Sequence, residues 1–481
     1  MTPRNRIRGT FIHNIDDDSL LNIFYLYRPV LLDKDEDDDK CILQGGEWDR
    51  DRWWYKLTHV CRRWRYLVLG TASYLGLGLI CTFGIRVADM LAHSPPLPLI
   101  IDYMDPDHEI SAEDEEGLLL ALQHRDRVRR IRLRVHVSDL RKLTMIIDDK
   151  YPMLEYLYIE PSTRDDTGLI LPKTFQAPHL RYLILVHFAF PIGSPLLMTA
   201  VGLVTLSLQR IPRSAHFHPN DLLQQLSMMP QLEVLGIDFR SQAPNRDVEM
   251  QLLDTPIMTH AALPNLRWFG FFGVTTYLEA LLSRMTTPFL EKIQIGFLNQ
   301  PTFSVPHLLE FITKAKDLKF SSAVSARMGF LTQFVWVAVY PDARAKIYFF
   351  DLTVGCGHLD RQVASAAQLF NSVRAVFSTV EGLTLQYERH SMSAEWNNEA
   401  DRTQWRELFR SFSNVKTLCV PPGLVKQLSG SLRVDDGESA MELLPELKDL
   451  SYSAEDDVGD DFTSFIDARK KAGYPVTLDR R

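Results

Sequence analysis

The chain has 481 residues, of which 46% are hydrophobic and 24% are charged, and its formal net charge is -8 at pH 7. This length exceeds that of a usual single compact core and predicts either two domains or an elongated array of repeats. The negative net charge argues against a general nucleic-acid-binding protein, so we expect no nucleic acid among its partners.

The first predicted element is a short amphipathic helix that begins near Asp16. Asp16 fits the N-cap position, and Asp17 and Asp18 lie in the first turn, near the positive end of the helix dipole. Ile15 and Leu20 fall at the two positions of a hydrophobic staple. The apolar side of this helix consists of Leu20, Leu21, Ile23, Phe24 and Tyr27.

A charged insert follows this helix, at about residues 30–51. It contains the run DKDEDDD from Asp33, which carries too much charge to pack in a core. We expect a solvated loop here, between two helices.

The stretch RWWYKLTHVCRRWRYLVLG, Arg52 to Gly70, predicts a second amphipathic helix with one apolar and one basic face. Such a helix must bury two tryptophans, either against its own domain or against a partner. The apolar residues that recur at helical spacing are Trp53, Leu57, Val60, Cys61, Trp64, Leu67 and Val68.

The two helices, with the pattern V-C-R-x-W-R in the second, resemble an F-box. The following stretches GTASYLGLGLICT and ADMLAHSPPLPLIIDY are similar to those of fungal F-box-like proteins with leucine-rich-repeat-like C-terminal regions. On this resemblance, residues 10–70 form an F-box-like domain that contains the insert, and residues 71–481 form a leucine-rich-repeat-like solenoid. The chain departs from the family at Asn14-Ile15, where F-boxes usually have Leu-Pro, and in the length of the insert.

The resemblance implies partners. F-boxes bind the small adaptor subunit that links them to a cullin in SCF ubiquitin ligases, so the adaptor, the cullin and a protein target are expected. The residues that would face the adaptor, or support the facing helix, are Ile15, Leu20, Leu21, Phe24, Leu57, Val60, Cys61 and Trp64. Some of them must form the core of the F-box itself. The alternative is a diverged F-box that only caps the solenoid.

From about residue 71, one six-residue pattern recurs: apolar, two variable positions, apolar, one variable position, apolar. Its nine clear copies are Leu154-Leu157-Ile159, Leu180-Leu183-Leu185, Leu203-Leu206-Leu208, Leu232-Leu235-Ile237, Leu266-Phe269-Phe271, Leu290-Ile293-Ile295, Val380-Leu383-Leu385, Val415-Leu418-Val420 and Leu447-Leu450-Tyr452. Weaker copies are Val128-Ile131-Leu133 and Ala315-Leu318-Phe320. The gap between residues 290 and 380 also contains the strand-like runs FVWVAVY and KIYFFDL.

Helix-like segments such as DLLQQLSMM and YLEALLSRM separate these copies. A strand plus a helix repeated at this period predicts an α/β fold of leucine-rich-repeat type, because single units cannot cover their own apolar sides and must stack. A doubly wound α/β domain is the alternative. The C-terminal stretch DDFTSFIDARKKAGYPVTL predicts a last helix and a short strand that cap the array.

The variable strand positions of a solenoid point to its concave side, where a target would bind. Exposed aromatics beside arginines are typical of a recognition surface. The positions predicted for target binding are Arg130, Arg132, Arg134, Tyr156, Tyr158, Tyr182, Trp268 and Phe272, with Glu160, Thr205, Gln209 and Lys292 beside them. The alternative is that the F-box, a loop or a twist covers them. The run RDRVRRIRLR fits an amphipathic strand better than a nucleic-acid site.

Little in the sequence indicates catalysis. No Walker-type loop and no dinucleotide fingerprint is present. Cys356-Gly357-His358 lacks a second pair of zinc ligands nearby, and the other histidines are isolated. We therefore expect a protein that is not an enzyme and holds no metal or cofactor.

The five scattered cysteines, the lack of a transmembrane-length apolar run and the lack of a signal-peptide core predict a cytoplasmic or nuclear protein without a membrane partner. The favoured function is the substrate-recognition subunit of an SCF-type ligase. A repeat scaffold that binds partners without ligase assembly is the second hypothesis, and an unrecognised hydrolase or transferase the third.

Overall fold

A computed structural model describes most residues of the chain. They are residues 15–27, 53–104, 110–163, 168–240, 256–298, 303–315, 318, 325–388, 401–434, 439, 441–452 and 462–480. The predicted acidic insert at about residues 30–51 lies outside them. The chain divides into two compact units, the first of residues 1–163 and 174–180, the second of residues 164–173 and 181–481. The boundary at residue 70 stays a prediction.

The first unit combines seven described helices with four parallel strands. The helices are α1 Asp17–Tyr27, α2 Trp53–Thr58, α3 Arg62–Gly70, α4 Ala72–Leu75, α5 Val87–His93, α6 Ala112–Gln123 and α7 Val137–Ile146. The strands are β1 Leu79–Cys81, β2 Leu99–Tyr103, β3 Val128–Val135 and β4 Tyr156–Pro161. They pair in chain order, all parallel, through β1–β2, β2–β3 and β3–β4.

Helix α1 begins as predicted from its N-cap. The Asp16 carboxylate accepts hydrogen bonds from the Ser19 backbone N–H and hydroxyl, both at 2.8 Å. The backbone bond, first, and the hydroxyl bond lower the pKa of Asp16. Leu20 and Phe24 are buried, and the Phe24 ring meets Trp64 of α3 edge-on at 4.8 Å. The cap stabilises the start of α1, and the buried side chains pack α1 against α3.

The predicted single helix from Arg52 to Gly70 is wrong, because the chain breaks into α2 and α3. Cys61 is extended, with φ -159° and ψ 171°. The Thr58 carbonyl at the end of α2 accepts a hydrogen bond from the Arg65 side chain at 2.9 Å, so a side chain of α3 satisfies it instead of a further helical turn. As a result Val60 is exposed rather than part of an apolar stripe.

The second unit contains sixteen described strands. They are β5 Leu169–Ile170, β6 Tyr182–Val186, β7 Phe188–Ala189, β8 Thr205–Gln209, β9 Val234–Asp238, β10 Ala261–Ala262, β11 Trp268–Gly273, β12 Met285–Thr286, β13 Lys292–Phe297, β14 Ser325–Phe330, β15 Phe334–Tyr340, β16 Phe350–Gly355, β17 Gly382–Tyr387, β18 Thr417–Val420, β19 Asp449–Tyr452 and β20 Thr477–Arg480. Its main sheet has the order β6-β8-β9-β11-β13-β16-β15-β14-β17-β18-β19-β20. Two short parallel pairs, β5–β7 and β10–β12, lie outside it.

Helices connect most of these strands. They are α8 Pro195–Thr199, α9 Pro219–Leu226, α10 Thr275–Leu282, α11 Pro306–Lys314, α12 Leu359–Ser372, α13 Arg374–Phe377, α14 Arg402–Phe409, α15 Val425–Leu432 and α16 Thr463–Lys471, with single 3-10 turns at Arg213–Ala215 and Pro422–Leu424. The helices predicted from DLLQQLSMM and YLEALLSRM are confirmed as α9 and α10. The predicted C-terminal helix and strand are confirmed as α16 and β20.

The repeated apolar pattern is confirmed as strand at its nine clear copies and at Val128-Ile131-Leu133. The register places equivalent positions side by side: Leu206 lies opposite Leu183 on one side and Leu235 on the other, and Leu235 lies opposite Phe269. All four side chains are fully buried. The protein is therefore a mixed α/β fold with a large, mostly parallel sheet, whose core is a ladder of matching apolar side chains.

The two described residues of the weak copy Ala315-Leu318-Phe320 do not lie in a strand. Ala315 directly follows α11, Leu318 lies in a bend, and Phe320 is outside the described residues. Here β15 runs antiparallel to both β14 and β16. The run FVWVAVY forms β15, and only three residues join it to β14, a connection too short for a parallel crossover. The repeat is thus interrupted by one antiparallel strand.

The two faces of the sheet differ in character. On β17 the side chains of Leu383 and Leu385 are buried, whereas Thr384 is half-buried and Gln386 is exposed. β18 and β19 show the same alternation of covered and open positions. The apolar positions face the core, and the variable positions form a second face, called the variable face below.

Candidate functional site

The eight residues predicted to serve adaptor binding separate into three groups by burial. Leu20, Phe24 and Leu57 are buried, so they form the core between the N-terminal helices. Val60 is 56% exposed. The remaining four are half-buried: Ile15, Leu21, Cys61 and Trp64. The first group is therefore not accessible to direct contact with a partner.

Three exposed apolar side chains of α1, which sequence reasoning did not select for contact, lie beside this core. Ile23, Leu26 and Tyr27 are 47%, 79% and 55% exposed, and their spacing places them on one side of the helix. We call them the α1 apolar face. Among the described residues, eight of the 21 exposed large apolar side chains lie in residues 15–27 and 53–75, so exposed apolar surface is concentrated here. Ile23 and Tyr27 belonged to the predicted apolar side of this helix; Leu26 fell outside it.

A charged contact holds α1 in place relative to α3. The Arg63 guanidinium lies 2.6 Å from an Asp17 carboxylate oxygen and donates to the Ile15 carbonyl at 2.5 Å. Asp17 is more than half exposed, so this ion pair adds modest stability but fixes the orientation. The α1 apolar face is therefore presented by a helix whose start is anchored.

On the variable face of the first unit, two of the predicted target-binding residues are buried, which corrects the prediction. Arg132 is 6% exposed and Tyr158 is 8% exposed. Arg132 lies opposite Asp102 on one neighbouring strand and Tyr158 on the other, and its Nη1 is 3.1 Å from Asp102 Oδ2. Neighbouring strands are only about 4.8 Å apart, so the side chains of Asp102 and Tyr158 cover the Arg132 side chain between them. Reversing the charge of Arg132 would therefore disrupt the fold before it tested binding.

The residues around this buried pair remain accessible. Arg130 stacks on the Tyr156 ring, 5.2 Å from its centroid, and both are half-buried. The Tyr158 hydroxyl donates to Glu160 at 2.7 Å, while burial, first, and the Glu160 charge raise the Tyr158 pKa well above its usual range. Arg130, Arg134 and Tyr156 thus stay candidates for target contact in this unit.

On the variable face of the second unit, aromatic rings lie against glycines. Phe272 covers Gly296 on the neighbouring strand, and a side chain at Gly296 would overlap its ring. Trp336 covers Gly329 in the same way. Trp268 covers Gly270 on its own strand and approaches Gly236. Trp268, Phe272 and Trp336 are half-buried. We call these three rings the aromatic strip.

Cations stack on aromatic rings across the same face. The Arg240 guanidinium lies 4.2 Å from the Phe272 centroid and 2.8 Å from Asp238. Arg327 lies 4.4 Å from the Tyr340 centroid. Lys292 lies 4.1 Å from the Tyr348 centroid and is only 7% exposed, so its predicted exposure is wrong.

The three other predicted positions of this unit are at least partly accessible. Tyr182 is exposed, and Thr205 and Gln209 are half-buried. Of the residues that sequence reasoning missed, Trp336 lies in the run FVWVAVY, and Gly270, Gly296 and Gly329 occupy variable strand positions. A glycine inside a strand marks a close approach by another group, and that signal could have found the strip.

The sequence features considered for catalysis have a structural explanation. Cys356 is buried, and burial raises the pKa of its thiol to about 11, so the thiol stays protonated near neutral pH. Across the described ranges, no group of three or more His, Cys, Asp or Glu side chains is arranged to hold a metal ion. In the same ranges, no helix has both the length and the apolar character needed to cross a membrane.

The chain was compared with known proteins. No protein-family model matches it, and no curated protein matches it.

Proposed function

We propose that the protein is the substrate-recognition subunit of an SCF-type cullin ubiquitin ligase, with the α1 apolar face as its adaptor-docking surface. The observation that carries this proposal is the exposure of Ile23, Leu26 and Tyr27 on a capped helix whose adjoining side, at Leu20 and Phe24, is packed. Exposed apolar side chains on a rigid element are the composition of a protein interface. The packed helices α1, α2 and α3 correspond to the F-box-like segment.

The sheet supports the second half of the proposal. Matching apolar side chains stack from strand to strand, while variable positions such as Thr384 and Gln386 stay open. A doubly wound sheet carries helices on both faces and would need apolar residues at both sets of positions. The alternation therefore favours a leucine-rich-repeat-like solenoid whose variable face holds the target.

The mechanism in this proposal is proximity. The chain would bind the adaptor, and through it the cullin, at one surface and a target protein at the other. The local concentration of target lysines near the ubiquitin-loaded enzyme would then rise without chemistry by this chain. Such an assembly works in the cytoplasm or the nucleus.

A repeat scaffold that binds partners without ligase assembly is the second candidate. One observation favours it: Leu20, Phe24 and Leu57, three of the eight residues that the F-box resemblance implies for the adaptor, are in the protein's own core. In that case the N-terminal helices serve only to cover the end of the sheet.

Calorimetry on the full chain with a cognate adaptor separates the two candidates. The proposal predicts micromolar or tighter binding, lost in the double variant Ile23→Asp and Leu26→Asp. Both side chains are exposed, so circular dichroism should stay unchanged. Replacing Phe24 instead would test only folding, because that ring is 1% exposed.

The matched control is Met145→Asp on α7. Met145 is 77% exposed, close to the 79% of Leu26, and lies in the same unit outside the proposed surface. It should bind the adaptor like the unmodified chain. No association of the unmodified chain with the adaptor would favour the scaffold.

A further inference from the structure

Two rings of the aromatic strip, Phe272 and Trp336, occupy equivalent positions in the sheet of the second unit. Phe272, Gly296, Thr353, Trp336 and Gly329 are consecutive partners in one row across β11, β13, β16, β15 and β14. Both rings of this row lean in the same direction, each onto the glycine of the next strand. The row therefore presents two rings separated by small side chains.

The glycines fix the orientation of these rings. A Cβ at Gly296 or at Gly329 would overlap the ring that lies on it, so each ring is in contact with bare backbone. Rings held in this way lose little conformational entropy when a partner binds. The aromatic strip is thus preorganised for contact with a flat apolar group.

The strands beneath the strip exclude one mode of peptide binding. β11 pairs on both sides, with β9 and β13, and β15 pairs on both sides, with β14 and β16. Neither strand has an open edge to which a further strand could be added. A partner here must be recognised through its side chains, and it must bring a rigid apolar surface without needing backbone pairing. A polyproline II segment has these properties.

The charges at the ends of the row specify the partner further. Arg240, stacked on Phe272 and paired with Asp238, keeps 51% of its side chain exposed, and the half-buried Arg327 lies on β14, two residues before Gly329. From β11 to β14 there are four strand spacings, roughly 19 Å, which a polyproline II segment spans with about six residues. Two cations at this separation complement acidic residues on both sides of a proline run.

We infer that the aromatic strip binds an extended proline-rich segment with acidic residues at each end, lying across the strands from Arg240 to Arg327. The inference rests on the proposed function only in identifying this segment as part of the target. It is tested on the full chain without adaptor, so its failure is separate from a failure of adaptor binding.

The probe is a fluorescein-labelled peptide of about six prolines flanked by glutamates, a length set by the polyproline II rise, measured by fluorescence anisotropy. Trp336→Ala and Arg240→Ala are each expected to weaken binding about tenfold or more, the effect typical of an aromatic or arginine anchor. Gly329→Ala should weaken it similarly, since it displaces the Trp336 ring without removing it. Gly202→Ala is the matched control, because a Cβ there contacts nothing within 4 Å, and it should bind normally.

Thermal melts identify any variant that does not fold, and the folded variants among Trp336→Ala, Arg240→Ala and Gly329→Ala decide the test. Failure of the acid-flanked peptide to bind would overturn the inference, as would equal binding of a lysine-flanked peptide. Binding of chitohexaose in place of the peptide, with the same loss in Trp336→Ala, would also overturn it and assign the strip to a carbohydrate.

Discussion

The buried ion pair between Asp102 and Arg132 allows a sharp prediction about the first unit. Asp102 Oδ2 and Arg132 Nη1 are 3.1 Å apart, and the two side chains are 9% and 7% exposed. At an effective dielectric constant of about 20, their attraction is roughly 5 kcal/mol. Desolvation of both groups opposes that attraction, and Arg130 and Arg134 on the same strand face reduce it further.

Removing one partner leaves the other charge buried, so Arg132→Met and Asp102→Leu should each cost about 3 kcal/mol, the lower end of the usual range. The double variant removes both charges and should lie within about 1 kcal/mol of the unmodified chain. A chain of two compact units need not unfold in one step, so the measurement should be local. Hydrogen exchange of peptides that cover β2 and β3 gives the free energy of opening there. If the double variant lost as much free energy of opening as the two single variants together, the reasoning would be refuted.

Three further predictions concern the second unit and the buried thiols. Trp405 is fully buried against Phe330 and Phe409, so Trp405→Ala should lower the free energy of opening of α14, measured by hydrogen exchange, by about 3–5 kcal/mol. A loss below about 1 kcal/mol would contradict its place in the core. Arg469, 1% exposed, donates to the carbonyls of Leu444, Pro445 and Leu447, so Arg469→Met should lower the free energy of opening of α16 by about 3 kcal/mol in hydrogen exchange. Arg469→Lys should recover less than half of this loss, since an ammonium lacks the fork geometry. Burial raises the pKa of the Cys81 thiol to about 12 and that of the Cys356 thiol to about 11, from an ordinary 9.0. Above pH 9 these thiols lose their protons in the unfolded chain before they do so in the folded chain. The free energy of unfolding should therefore fall as the pH rises above 9. Urea midpoints at pH 8 and 10.5 should therefore differ less in a Cys81→Ala, Cys356→Ala double variant than in the unmodified chain; equal differences would contradict the assignment.

The strands and their covered faces could be predicted from the sequence because burial repeats with a fixed period. Leu183, Leu206 and Leu235 occupy equivalent places in the pattern, and the structure aligns them. The break between α2 and α3 could not be predicted this way. Apolar periodicity continues through Val60 and Cys61, and it does not show that the Thr58 carbonyl at the end of α2 accepts a hydrogen bond from the Arg65 side chain.

The burial of individual variable positions also depends on the neighbouring strands. Arg132 looks exposed in its own strand, yet Asp102 and Tyr158 lie opposite and cover it. Phe272 was predicted on the correct face. The orientation of its ring, however, depends on Gly296, on which it lies, and on Arg240, which stacks on it. Such relations follow from strand order and register, which a single sequence does not specify.

Residues of α1 give the most direct test of the central proposal, that the N-terminal helices dock an SCF adaptor. Hydrogen exchange of the full chain should be followed with and without the cognate adaptor at saturating concentration. The proposal predicts added protection in residues 15–27 and 53–70, lost in the Ile23→Asp, Leu26→Asp variant. Unchanged exchange in both segments would contradict it.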